Sequence, residues 1–247
     1  MESPGMEKIR PFVRERLEPF IDDLTRGYEN IHSYHVVGSA VTGDFVEGVS
    51  DINSVAVLTS MDLSFLDRVA PLGKKYQKKK IAAPLIMTPE YVTNSLDVFP
   101  VEFLNFKLIH QTIFGPDIFS EIEVGRKNLR IQCEREIKSK LIWLRQHYIS
   151  SMGDSRLLLD NMTGLISGFM PLFRSIIWLM DREPPRETGQ ITDTLCSIFN
   201  FKANIFEKIL DIKHKRYKPS KQEISEIFRE YYRASEKIGR AVNDLQV

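Results

Sequence analysis

Residues 38–53 read GSAVTGDFVEGVSDIN, with a Gly-Ser pair at one end and an acid, one apolar residue and an amide at the other. Gly38 and Gly43 have the G-x-x-x-x-G spacing of a phosphate loop, which requires Lys and then Ser or Thr in the next two places. Asp44 and Phe45 stand there instead. No lysine then meets the β and γ phosphates, and a carboxylate in its place repels them, so a phosphate loop is excluded.

The flanks of the stretch are more informative. His35, Val36 and Val37 form a short β-prone run that stops at Gly38, and a second run, Ile52 to Leu58, follows Asp51. The stretch therefore joins two strands. Side chains alternate along a strand, so Asp51 and Asn53 project to one side about 7 Å apart with Ile52 buried opposite. Two oxygen ligands at that spacing suit one shared divalent ion.

At these residues the chain resembles the nucleotidyltransferase superfamily of DNA polymerase beta, kanamycin nucleotidyltransferase and the aminoglycoside adenylyltransferases. The signature there is Gly-Ser, a spacer, then Asp-x-Asp. Gly38, Ser39 and Asp51 match it, Ile52 is the usual apolar filler and Ser50 gives the frequent Ser-Asp form, whereas Asn53 departs from it. The family's third acid lies on a later strand, for which Glu102 in PVEFLNF (residues 100–106) is the first candidate and Asp97 the second.

The resemblance implies transfer of a nucleoside monophosphate, with AMP expected, from a nucleoside triphosphate such as ATP to a hydroxyl of a small-molecule or protein acceptor. Paired Mg²⁺ or Mn²⁺ ions stabilise the entering and leaving oxygens in such a reaction. Gly38 would let the backbone approach the triphosphate, and Ser39 would donate to a phosphate oxygen. Asp51 would bridge the metals, and Glu102 would ligate one and help to take the proton from the attacking hydroxyl. Asn53 keeps a carbonyl oxygen for a metal but lacks the charge of the usual carboxylate, so metal affinity should fall. The alternative is a catalytically degraded relative that binds a nucleotide or a partner protein.

Composition is ordinary for a soluble globular protein: 247 residues, 43% apolar and 27% charged. The N-terminus MESPGMEKIR lacks the apolar core of a signal peptide, and the most apolar stretch, residues 164–180, carries Pro171 and Arg174, so a buried helix in a cytoplasmic protein is expected there. Cys133 and Cys196 lie in apolar helical patterns without C-x-x-C spacing, as core thiols do in a reducing compartment. The net charge of +1 hides an asymmetry: residues 1–125 hold 12 basic against 18 acidic side chains, the remainder 22 against 15. An acidic half with a metal site beside a basic half suits a polyanionic nucleotide, although solvated surface gives the same imbalance.

The periodicity predicts an α/β or α+β domain over 1–124, which the resemblance implies to be an α+β, mixed-sheet one, and an all-α bundle of about five helices over 125–247. Helices are expected at 6–26, 63–80 and 90–96, with strands at 81–87 and around Glu102. Thr88-Pro89 has the form of a helix start, FGPD at 114–117 that of a turn, and Ser220 with Glu223 that of a capping box. In the second half helices are expected from Arg126, over 157–180, at 191–199 and 203–213, and after Ser220.

The five lysines of GKKYQKKK (73–80), interrupted by Tyr76, could track a nucleic-acid backbone while the ring stacks on a base, but a solvated helix end is the simpler reading. Nucleic acid is therefore a disfavoured partner, no membrane is expected, and a homo-oligomer is allowed. The five histidines show no H-x-x-x-H or H-E-x-x-H spacing, which argues against zinc and leaves His35 as a strand residue. No Arg-x4-His ribonuclease motif occurs in the second half, and G-x-S-x-G is absent.

Overall fold

The computed structural model describes residues 4–247. The chain is α+β and divides into two compact units, Met1–Val98 with Glu102–Val124, and Phe99–Val101 with Gly125–Val247.

The first unit is built on a four-stranded mixed sheet of β1 (Ile31–Val37), β2 (Asn53–Leu58), β3 (Leu85–Met87) and β4 (His110–Phe114), in the order β3-β2-β1-β4. β1 runs antiparallel to β2 and to β4, while β2 and β3 are parallel. β1 is therefore paired along both edges, and its run of Val, Tyr and His is buried almost throughout. One face carries Tyr34 and Val36 and packs under α1 (Pro11–Thr25) and α2 (Leu63–Tyr76), which contribute Val13, Leu17, Phe20, Ile21, Leu24, Phe65 and Tyr76. The other face carries Val37, Val55 and Val57 and packs against Val92 of α3 (Pro89–Asn94), Phe103 of α4 (Pro100–Leu108), and Phe119 and Ile122 of the following loop.

Several boundaries shift for identifiable reasons. The helix expected over 6–26 begins at Pro11, which needs no N–H partner there, and a 3-10 turn at Pro4–Lys8 precedes it. The helix expected to reach residue 80 ends at Tyr76 and tightens into a 3-10 turn, with Lys80 left-handed at φ 61°. In the strand expected over 81–87, Pro84 has no N–H to give a ladder, so Ile81 makes an isolated bridge to Ile52 and regular pairing starts at Leu85.

Residues 100–106, expected as a strand, form α4 instead. A short apolar run does not distinguish strand from buried helix, and here Pro100 opens the helix while Glu102 in the first turn suits its positive end. The later strand is β4, which lies beyond the expected one.

The second unit is helical: α5 (Arg126–Ser150), α6 (Ser155–Ile166), α7 (Met170–Leu179), α8 (Thr188–Phe199), α9 (Ile205–Lys213) and α10 (Lys221–Asp244). These are six α-helices among the described residues rather than about five, because the run 157–180 breaks at a 3-10 turn, Ser167–Phe169, ahead of Pro171. α5 packs on α7 and α10, and α6 on α9, around Phe169, Phe173, Phe206 and Tyr231. The Ser220–Glu223 capping box forms at the start of α10. Arg174 is buried with its guanidinium on the carbonyls of Pro185 (3.2 Å) and Arg186 (3.0 Å), anchoring the approach to α8. The stretch Ser155–Leu179 is long and apolar enough to cross a membrane, but 61% of an 18-residue apolar segment within it is buried in the fold.

Candidate functional site

Three strand ends meet at the C-terminal end of β1, because Val37 pairs with Asn53 on one side and with His110 on the other. Paired residues share a sheet face, so Asn53, Val37 and His110 form one row across the sheet. The chain then leaves β1 through Gly38 at φ +72° into a 3-10 turn, Gly38–Val41. A Cβ at Gly38 would meet nothing within 4 Å, so the left-handed backbone rather than crowding calls for glycine. Ser39 follows half-buried, and its carbonyl accepts the Thr42 N–H at 3.1 Å. Arg10 donates a guanidinium N–H to the Thr42 carbonyl and holds the far side of the turn.

Asp51 and Asn53 are both exposed, with Ile52 fully buried between them. The Ile52 backbone is tied to the Lys80 carbonyl (2.7 Å) and the Ala82 N–H (3.0 Å), which fixes the segment. These contacts also bring Lys80 Nζ to 3.8 Å from Asp51 Oδ1. The carboxylate therefore already faces a cation.

Glu102 lies exposed in the first turn of α4, and Asp97 is exposed in the turn after α3. Neither β3 nor β4 carries an acid. Among the described residues, neither Asp51 nor Glu102 belongs to a group of three His, Cys, Asp or Glu able to hold an ion. A paired magnesium site needs several carboxylate oxygens. Here there is one carboxylate beside a lysine, one neutral amide, and a glutamate on a helix. The residues present do not fit that metal pair.

A second constellation occupies the neighbouring strand. His35, fully buried in β1, lies between Ser33 Oγ on Nε2 (2.8 Å) and Thr112 Oγ1 on Nδ1 (2.9 Å). His110 Nε2 lies 2.7 Å from Asp117 Oδ1, and Phe119 packs against both imidazoles. Burial, with a smaller push from His110, lowers the His35 pKa to about 4, so this ring is neutral at neutral pH. Burial acts to raise the Asp117 pKa, but the His110 hydrogen bond and charge and the Ser120 N–H outweigh it and hold the carboxyl below its ordinary value. Sequence spacing could not reveal this group, because strand pairing joins residues far apart in the chain. The FGPD turn, with Gly115 at φ +75°, carries Asp117 back to His110.

Tyr76 of the lysine cluster is buried, and its hydroxyl shares its one proton between the Pro19 carbonyl (2.8 Å) and Asp23 Oδ2 (2.7 Å), while Lys75 pairs with Asp23 at 2.5 Å. The ring belongs to the core and is not free to stack on a base. No protein-family model matches the chain, and no curated protein matches it.

Proposed function

We propose that the first unit is a nucleotidyltransferase-like domain that binds a nucleoside triphosphate without transferring its nucleoside monophosphate, with the helical second unit carrying the partner surface. The observation that carries this reading is the pairing of Asp51 with Lys80 beside the Gly38–Ser39 turn. The Lys80 ammonium lies 3.8 Å from the Asp51 carboxylate that a metal would use, and it offers a phosphate a charge-assisted donor. Ser39 and the turn amides add neutral donors. With Asn53 uncharged and no acid on β3 or β4, magnesium has little to hold it.

The test is calorimetry and thermal unfolding of the full chain with ATP and GTP, each with and without Mg²⁺. Binding to the native state alone stabilises by about 2.7 kcal/mol at a hundredfold excess over Kd. A thermal shift that persists without metal is expected, and no shift with either nucleotide removes the proposal. The second reading, transfer to a hydroxyl acceptor, is favoured by the closeness of Asp51 and Asn53 to the Gly-Ser turn. Pyrophosphate release that disappears in Asp51→Ala would establish it in place of the first.

A further inference from the structure

We propose that His35, His110 and Asp117 form a binding site for a zinc-class divalent ion, separate from the Gly38–Ser39 turn. One ligand atom from each of the three residues can be chosen so that all lie within 4.8 Å of one another. Ligand atoms about 2.0–2.1 Å from a tetrahedral ion sit roughly 3.3 Å apart, so the cluster must contract modestly overall while the 2.7 Å His110–Asp117 contact opens. Asp117, half-exposed on a loop, can make the second movement by side-chain torsion, while the first needs the His35 and His110 rings to turn toward one another.

A second observation points the same way. The His110 side chain is only 8% exposed, and its Nδ1 has no hydrogen-bond partner in the protein. A buried histidine kept for packing or an ion pair alone is normally satisfied at both nitrogens, and an orphan nitrogen costs stability. With Nδ1 unpartnered, the His110 ring is held only through its Nε2 contact with Asp117, which an ion bound at Nε2 would replace.

The surroundings are those of an outer shell around such an ion. Ser33 and Thr112 hydroxyls sit on the two nitrogens of His35, so one must turn away from the nitrogen that ligates while the other stays as its outer-shell partner. Phe119 covers both rings and lowers the local dielectric. Two imidazoles with one carboxylate suit Zn²⁺ or Co²⁺ and disfavour Mg²⁺, which takes oxygen ligands. Three protein ligands leave a fourth position for water, as in open zinc sites. On the sheet His110 lies in the same row as Asn53, two strand spacings or about 10 Å away.

The experiment uses the full chain stripped with a chelator, then titrated with Zn²⁺ by calorimetry and with Co²⁺ by visible absorption. One Zn²⁺ per chain, a rise in melting temperature and no competition from Mg²⁺ are expected. Asp117→Ala, at a half-exposed position that leaves the core intact, is expected to weaken Zn²⁺ binding by about tenfold or more, and His110→Gln more strongly. His147→Gln, in the other unit, serves as the control for adventitious histidine binding and should change nothing. A wild-type chain that binds no Zn²⁺, or Asp117→Ala and His110→Gln chains that bind it as well as wild type, overturns the proposal. If His110→Gln does not fold, Asp117→Ala alone decides.

Discussion

Gly38→Ala separates the two demands that a turn can place on a glycine. At φ +72° an alanine carries the left-handed penalty of about 1–2 kcal/mol, but its Cβ would meet nothing within 4 Å. Strain without clash predicts a loss of about 1–2 kcal/mol. Gly115 is the contrasting case at φ +75°, since a Cβ there would lie 2.2 Å from the His32 carbonyl oxygen and 2.7 Å from the Ser33 Cα, both in the central strand. Backbone atoms of a buried strand cannot step aside, so an overpacking cost of about 1–3 kcal/mol or more adds to the same strain. Gly115→Ala should therefore lose about 2–5 kcal/mol or fail to fold. Urea unfolding measures both variants, with the midpoint shifting at constant slope. Because the only two tryptophans, Trp143 and Trp178, lie in the second unit, the first must be followed by far-ultraviolet circular dichroism or tyrosine fluorescence. Equal losses in the two variants, or a loss above about 3 kcal/mol for Gly38→Ala, would refute the claim that the space over Gly38 is open.

Three further outcomes are expected. Tyr231 has a buried hydroxyl without a partner, so Tyr231→Phe should stabilise the chain by about 1–2 kcal/mol; a loss of stability in thermal or urea unfolding would mean that the hydroxyl is satisfied. The Tyr217 hydroxyl and the Ser220 N–H hold the Glu223 pKa at about 2, below its ordinary 4.5, so its contribution is present above about pH 4.5 and lost as pH falls toward 2. The stability gap between wild type and Glu223→Ala should be constant from neutral pH to about 5 and close below it, and a gap independent of pH down to 2 would rule out the capping carboxylate as its source. Asn53→Asp alone should not create tight Mg²⁺ binding, because Lys80 still faces Asp51; calorimetry should find a gain only when Lys80→Ala is added, and a gain in the single variant would contradict the inhibitory role of the lysine.

The parts of this fold visible in the sequence are those set by neighbours along the chain. Gly38 between two β-prone runs, the Thr88-Pro89 helix start, the FGPD turn and the Ser220–Glu223 box all act over a few residues, and each has its expected local form. PVEFLNF was misread because seven mostly apolar residues satisfy both periods, and packing of Phe103 on the sheet face selects the helix. Tyr76 looked free because its neighbours are lysines, yet its partners Pro19 and Asp23 come from α1. The candidate site was legible to the same degree. The Gly38–Ser39 turn and the alternation of Asp51 and Asn53 follow from local pattern, whereas the Lys80 contact depends on the Ile52–Ile81 bridge. The His35, His110 and Asp117 group depends on the register of β1 with β4, which no spacing rule contains.

The strand order has a consequence for how the chain leaves the ribosome. β1 and β2 emerge early and can pair at once, with α1 already available to cover the Tyr34 face. β4 appears only after β2, β3 and three more helices, and Phe103, Phe119 and Ile122 arrive with it or shortly before or after it. Until then the nascent hairpin shows a bare apolar face and an unpaired edge on its central strand, the features that draw chaperones or promote aggregation. A ribosome-bound chain stalled before His110 should therefore be held by chaperones, and synthesis through Val124 should release it.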